Sequence, residues 1–198
     1  HYNVDAELWV EGERMGEFDV SGVADLDLRL GRRDTLGMEL KGGVNSQEPT
    51  FYMRHYHSQA AWWDNTQFDN ELRTRFMGTL GLKRTNTRLT AGVENVTNYT
   101  YFGIQNTLKE GKQATSTLTA DYTHDVAVMQ ESGNVQVFSA TIAQDFKLGP
   151  LHWDSEVTYQ KTSKASVLPL PDLSLYTNLY LLFHVAHVLR VQVGGDMR

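Results

Sequence analysis

The sequence predicts an all-β fold: an antiparallel up-and-down meander of about nine strands forming part of a transmembrane β-barrel. Three observations point there. Apolar and polar residues alternate over unusually long stretches. The connections between those stretches alternate between short and long. No amphipathic helix is evident that could cover a sheet of this size.

The clearest element is Phe18 to Leu30. One face reads Phe18, Val20, Gly22, Ala24, Leu26, Leu28 and Leu30. The other reads Asp19, Ser21, Val23, Asp25, Asp27 and Arg29. Successive strand side chains point to opposite faces, so this segment has one apolar and one charged face. Its 13 residues exceed the usual five or six of a soluble strand and suit a tilted strand crossing a bilayer.

The other eight segments repeat the pattern. Val4 to Val10 sets Val4, Ala6 and Leu8 against Asp5, Glu7 and Trp9. Leu36 to Val44 sets Met38 and Leu40 against Glu39 and Lys41. Leu72 to Leu82 sets Phe76 and Leu80 against Arg73, Arg75 and Thr79. Leu89, Ala91 and Val93 oppose Arg88, Thr90 and Glu94. Phe138 to Leu148, Leu151 to Tyr159, Leu175 to Phe183 and Leu189 to Val193 complete the set. Trp9, Tyr99, Tyr101, Phe102, Trp153 and Tyr159 fall near strand ends, where aromatic girdles form in membrane barrels.

Segments 31–35, 83–86, 149–150 and 185–187 are expected as short periplasmic turns. Segments 46–70, 102–133 and 164–172 are expected as longer extracellular loops. Outer-membrane barrels sort their connections in this way, whereas a soluble sandwich has no reason to. Alternation alone cannot tell a lipid-facing face from a soluble core, so a soluble barrel or sandwich is the competing architecture.

Composition narrows the function. With 24 acidic residues against 18 Lys and Arg, the formal charge is -6. That argues against a nucleic-acid partner, because such proteins cluster cations against phosphates. The absence of cysteine removes disulfide scaffolds, thiolate metal sites and Cys nucleophiles. No apolar run is long enough for a transmembrane helix, which leaves a strand-built membrane protein open. The chain starts at His1 and stops at Arg198 inside what reads as a continuing strand, so an excerpt of a longer protein is expected.

Two groups of residues are candidates for function. Asp19, Asp25, Asp27, Arg29, Glu39, Lys41, Arg73, Arg75, Arg88, Glu94, Asp154 and Glu156 are expected to face a water-filled lumen. Mixed charge there would solvate the wall and filter ions and solutes. Tyr52, Arg54, His55, Tyr56, His57, Trp62 and Trp63 lie in one expected external loop. That loop could bind a glycan or a protein, constrict the lumen, or fold on itself around a small core.

His55 and His57 could share a strand face, but Asp64 is the one adjacent further ligand, and no metal or cofactor is expected. Paired carboxylates such as Asp25 with Asp27, or Asp154 with Glu156, need no catalytic role among so many opposite charges. No Gly-x-Ser-x-Gly elbow occurs, and the Gly pairs sit in strands rather than before helices, so no enzyme activity is expected.

Five stretches carry a resemblance: Tyr2 to Gly12; Phe51 to Ser58 with Trp62 to Asn65; Ala91 to Asn95; Gly133 to Thr141; and Val157 to Ser163 with Val167 to Pro171. Together they resemble the putative porin family of Bacteroidetes outer membranes. The resemblance spans essentially the whole chain. It implies an outer-membrane barrel with a pore-like role, and no catalytic residues carry over; the polar strand faces, rich in Asp, Glu, Arg, Ser and Thr, make small hydrophilic solutes the expected cargo. The partners would be membrane lipid, the solutes, and barrel strands outside this segment. The alternative is a structural or receptor protein that binds a glycan or protein partner through residues 51–65.

Overall fold

A computed structural model of the chain describes residues 1–30, 34–59, 61–108, 122–186 and 188–198. Nine antiparallel strands form one meander. In chain order they are β1 (Tyr2–Leu8), β2 (Phe18–Leu30), β3 (Asp34–Gln47), β6 (Glu71–Leu82), β7 (Thr87–Leu108), β8 (Tyr122–Leu148), β9 (Leu151–Thr162), β10 (Leu173–Val185) and β11 (Leu189–Met197). Each pairs with its neighbours in that order. The sheet is open, with β1 and β11 at its edges. A one-turn helix α1 (Phe51–Arg54) and a two-stranded hairpin of β4 (His55–His57) and β5 (Trp62–Asp64) lie between β3 and β6.

The register explains why the alternation is so regular. Ala24 pairs with Leu40, Leu40 with Gly78, Gly78 with Ala91, and Ala91 with Ala140. One strand's apolar set therefore continues into the next, and a slip of one residue would invert every side chain. The apolar face stays open: Leu26, Leu28, Phe76, Ile142, Phe146, Leu179 and Val193 are all exposed. The described residues hold almost no buried core beyond Val96, Val128 and Val135. A sheet this large with an uncovered apolar face is not the dry-cored sandwich that the sequence left as the competing architecture.

Small residues on this face let large neighbours lie flat. A Cβ built on Gly42 would sit 3.1 Å from the Phe76 ring, its cross-strand partner. One on Gly78 would sit 3.4 Å from Leu40. The turn between β8 and β9 is Gly149-Pro150, and Gly149 takes a φ of 59°, which favours a residue without Cβ.

Several boundaries differ from the sequence expectation. β3 begins at Asp34, inside the expected 31–35 turn; residues 31–33 lie outside the described residues. Val185 is in β10, and residue 187 lies outside the described residues. The largest difference is at 102–133, expected as one loop. β7 runs on to Leu108 and β8 starts at Tyr122, while residues 109–121 lie outside the described residues. The register shifts between Thr97 and Tyr99, with Asn98 at a φ of 59°, and this irregularity interrupts the alternation without ending the ladder. Beyond it the strands pair again, from Tyr99 with Glu131 to Leu108 with Tyr122.

Candidate functional site: the charged face and the aromatic loop

Register places all twelve charged candidates on one face of the sheet. Asp25 pairs with Glu39, and Glu39 with Thr79. Asp19 pairs with Asn45, and Asn45 with Arg73. Arg75 pairs with Glu94, and Asp27 and Arg29 sit opposite Gly37 and Thr35. Gly81 pairs with Arg88, and Glu156 lies across from Ala143, in the same row. Asp154 pairs with Asp145. Strand order separates the twelve into clusters rather than one point. Lys41, Arg73, Arg75 and Glu94 come together around the upper part of β3, β6 and β7, whereas Asp154 and Glu156 lie four strands away from Lys41 on β9.

The upper cluster is an ion-pair network. Arg73 reaches Glu71 at 2.8 Å and Glu94 at 3.7 Å; Arg75 reaches Glu94 at 2.9 Å. Lys41 pairs with Glu39 at 2.9 Å. Apart from Glu71, which is nearly buried, these side chains are partly solvated, so each pair contributes little to stability but fixes where charge is presented.

Between the charged clusters runs a row of hydroxyls. Thr79 pairs with Thr90, Thr90 with Thr141, Thr141 with Thr158, and Thr158 with Ser174. The Thr79 and Thr90 hydroxyls lie 3.3 Å apart, and those of Thr141 and Thr158 2.9 Å apart. Each wall position in this row offers hydrogen bonding without net charge.

The aromatic loop is organised by its own side chains. Tyr56 stacks on Trp63 with centroids 4.7 Å apart, and Phe51 contacts Tyr52 and His55. The Trp63 indole N–H donates to the Tyr52 carbonyl at 3.0 Å, and Asn65 donates to the Met53 carbonyl. His55 Nδ1 lies 2.8 Å from Asp64, its strand partner, and Arg54 is held by Glu48 at 2.7 Å. Among the described residues no group of three or more His, Asp or Glu is placed to hold a metal ion. Trp62 and Tyr52 point outward, 68% and 71% exposed, and His57 is exposed as well.

Residues the sequence did not single out fasten this loop to the wall. Glu71, buried at the start of β6, accepts hydrogen bonds from the Thr100 amide at 2.7 Å and from the Thr100 hydroxyl. Asn98 donates to the Asn70 carbonyl, and Gln130 to the Asp69 and Asn98 carbonyls. The buried Glu17 carboxylate accepts from Arg14 at 2.6 Å and from the Glu48 amide at 3.0 Å. Arg14 in turn lies 3.7 Å over the Trp9 ring. Trp63 meets Phe102 edge-on at 5.9 Å. Thr100 and Phe102 share a strand face, and Glu71 shares one with Arg73 and Arg75. The hairpin therefore sits over the upward continuation of the charged face. Glu17 and Glu71 each directly precede an apolar-periodic run, which is the one sequence cue to their capping of these strands.

No curated protein matches the chain. A family comparison gives a match over residues 1–198 of the sequence to the family whose description is "Putative porin". An open-faced antiparallel meander with one apolar and one charged face fits that family's barrel architecture, and the chain belongs to it.

Proposed function

We propose that the chain forms part of the wall of an outer-membrane pore that passes small hydrophilic solutes and performs no catalysis. The observation that carries this reading is the division of the sheet. Every one of the twelve candidate charges shares one face, and below the register shift between Thr97 and Tyr99 the exposed apolar side chains of the nine strands share the other. A wall between lipid and water stabilises both faces at once. Backbone groups at a sheet edge cannot stay unpaired in hydrocarbon. The edges at β1 and β11 are therefore completed by further barrel strands. Full-length protein reconstituted in planar bilayers tests the proposal: stepwise conductance is expected, and sealed bilayers would overturn it.

A second reading is favoured by the exposed Tyr52 and Trp62 on a loop held by its own hydrogen bonds. There the barrel is a receptor whose aromatic loop binds a glycan or a protein. A silent barrel that still binds such a ligand saturably, with loss of binding in Trp62→Ala, supports this reading over the pore.

A further inference from the structure

On the charged face, a cleft of ≈ 380 Å³ opens between β2 and β6. Its floor is low because β3 crosses it with Gly42 and Gly43, next to Ser21. A Cβ on Gly43 would meet the Val20 carbonyl at 3.3 Å and Ser21 at 3.5 Å, so no larger side chain fills the space without displacement. The two walls carry opposite charge. On one side Asp19 lines the cleft, and the neighbouring β1 adds Glu7 opposite Asp19 and Asp5 opposite Ser21. On the other side Lys41, Arg73 and Arg75 line it, with the Glu94 carboxylate at its outer rim beside the two arginines.

The arginines are held from behind. Glu94, on the next strand out, binds Arg75 through Nε at 3.1 Å and a terminal nitrogen at 2.9 Å, and it draws in Arg73. Glu71 fixes Arg73 from above. At the level of the cleft the order of charge across the sheet is therefore acid on β1 and β2, cation on β3 and β6, and acid again on β7, with Glu39 and Glu71 one position below and above the cations on their own strands. Among the described residues Asp19 makes no ion pair or side-chain hydrogen bond, so its carboxylate stays available to a solute. Asp19 and Arg73 both flank Asn45, two strand spacings apart, roughly 9–10 Å at the backbone.

We infer that this cleft is a subsite for zwitterionic solutes, with the solute's ammonium toward Asp19 and its carboxylate toward Arg73 and Arg75. The inference rests on the reading of this face as a pore lining and names its solute class. A guanidinium presents forked N–H donors to a carboxylate, and a carboxylate accepts from an ammonium, so an amino acid or short peptide satisfies both walls at once. A neutral sugar engages neither charge. A simple anion is attracted by one wall and repelled by the other.

Liposome swelling with the full-length protein tests this, using alanine and dialanine against a neutral sugar of similar size. Either zwitterion is expected to enter about threefold to fivefold faster than the sugar, the scale of one solvent-exposed ion pair. Asp19→Asn and Arg75→Gln should each reduce the ratio of zwitterion to sugar entry toward one, and 1 M salt should do the same by screening. Sugar entry without zwitterion preference would overturn the subsite and leave the pore standing. If nothing enters, equilibrium binding of dialanine to the protein in detergent decides. Binding that Asp19→Asn weakens keeps the subsite and overturns the pore, and no binding overturns both.

Discussion

Ala24 and Asp25 are adjacent residues with opposite surroundings. Ala24 lies in the apolar row with Tyr2 and Leu40, and Asp25 in the polar row with Glu39. In the proposed pore Ala24→Arg places a charge against hydrocarbon, at a cost of roughly 2–4 kcal/mol near the midplane. It should impair assembly, read as loss of the heat-modifiable folded band in gel electrophoresis. Asp25→Asn with Asp27→Asn should assemble normally and shift ion selectivity away from cations. The opposite pattern, with the double variant unfolded and Ala24→Arg folded, would mean that the faces are reversed. This much was legible in the sequence because a strand's two faces are written at period 2. The partner of Glu71 was not legible. Thr100 is 29 residues distant, and only the paired strands bring its amide to the carboxylate. Glu71→Ala leaves that buried amide without an acceptor, a loss of about 1–3 kcal/mol. The midpoint of urea unfolding in micelles should fall accordingly, while Glu71→Gln, which keeps an acceptor oxygen, should lose less.

At the level of elements, strands announced themselves wherever one face is uniformly apolar. They were missed where both faces are mixed. The upper halves of β7 and β8 carry Asn98, Thr100, Gln105, Glu131 and Asn134, so no period stands out, and 102–133 read as a loop. The ladder persists there because backbone pairing does not depend on which side chains point outward. The β4–β5 hairpin was hidden for a different reason. Three-residue strands are too short to show a period, and their pairing is stabilised by Tyr56 stacking on Trp63 and by Trp63 against Phe102. Such aromatic pairs contribute about 0.5–1.5 kcal/mol each beyond burial. Trp63→Ala removes both contacts together with the indole donation to Tyr52. Limited proteolysis should then cut within 48–70 several times faster, while the strand content seen by circular dichroism stays unchanged. Equal cleavage rates would mean that the hydrogen bonds at Asn98 and Gln130 hold the loop alone.

The whole sheet carries a geometric signature that no single strand shows. β2 and β10 are both 13 residues long, centred on Ala24 and Leu179. Following the pairing from Ala24 through Leu40, Gly78, Ala91, Ala140 and Tyr159 leads to Leu173, six residues before Leu179. Those partners lie six strand steps apart, so the strand centres drift by one residue per strand. With a rise of about 3.3 Å per residue and a spacing of about 4.8 Å between strands, that drift corresponds to a tilt of roughly 35°. Membrane barrels tilt their strands by about 35–45°. A sheet packed on a soluble core has no need to keep its apolar centre level in this way. The drift fixes depth in the proposed membrane. Single cysteines at Ala24 and Leu179, labelled with a fluorophore in lipids brominated at defined depths, should be quenched at the same depth. A label at Leu173, which shares Ala24's hydrogen-bonded row, should lie roughly 15 Å shallower, toward the β9–β10 connection. Equal depths for Ala24 and Leu173, with Leu179 displaced, would mean that the strands stand upright and that the apolar face is not levelled to a bilayer.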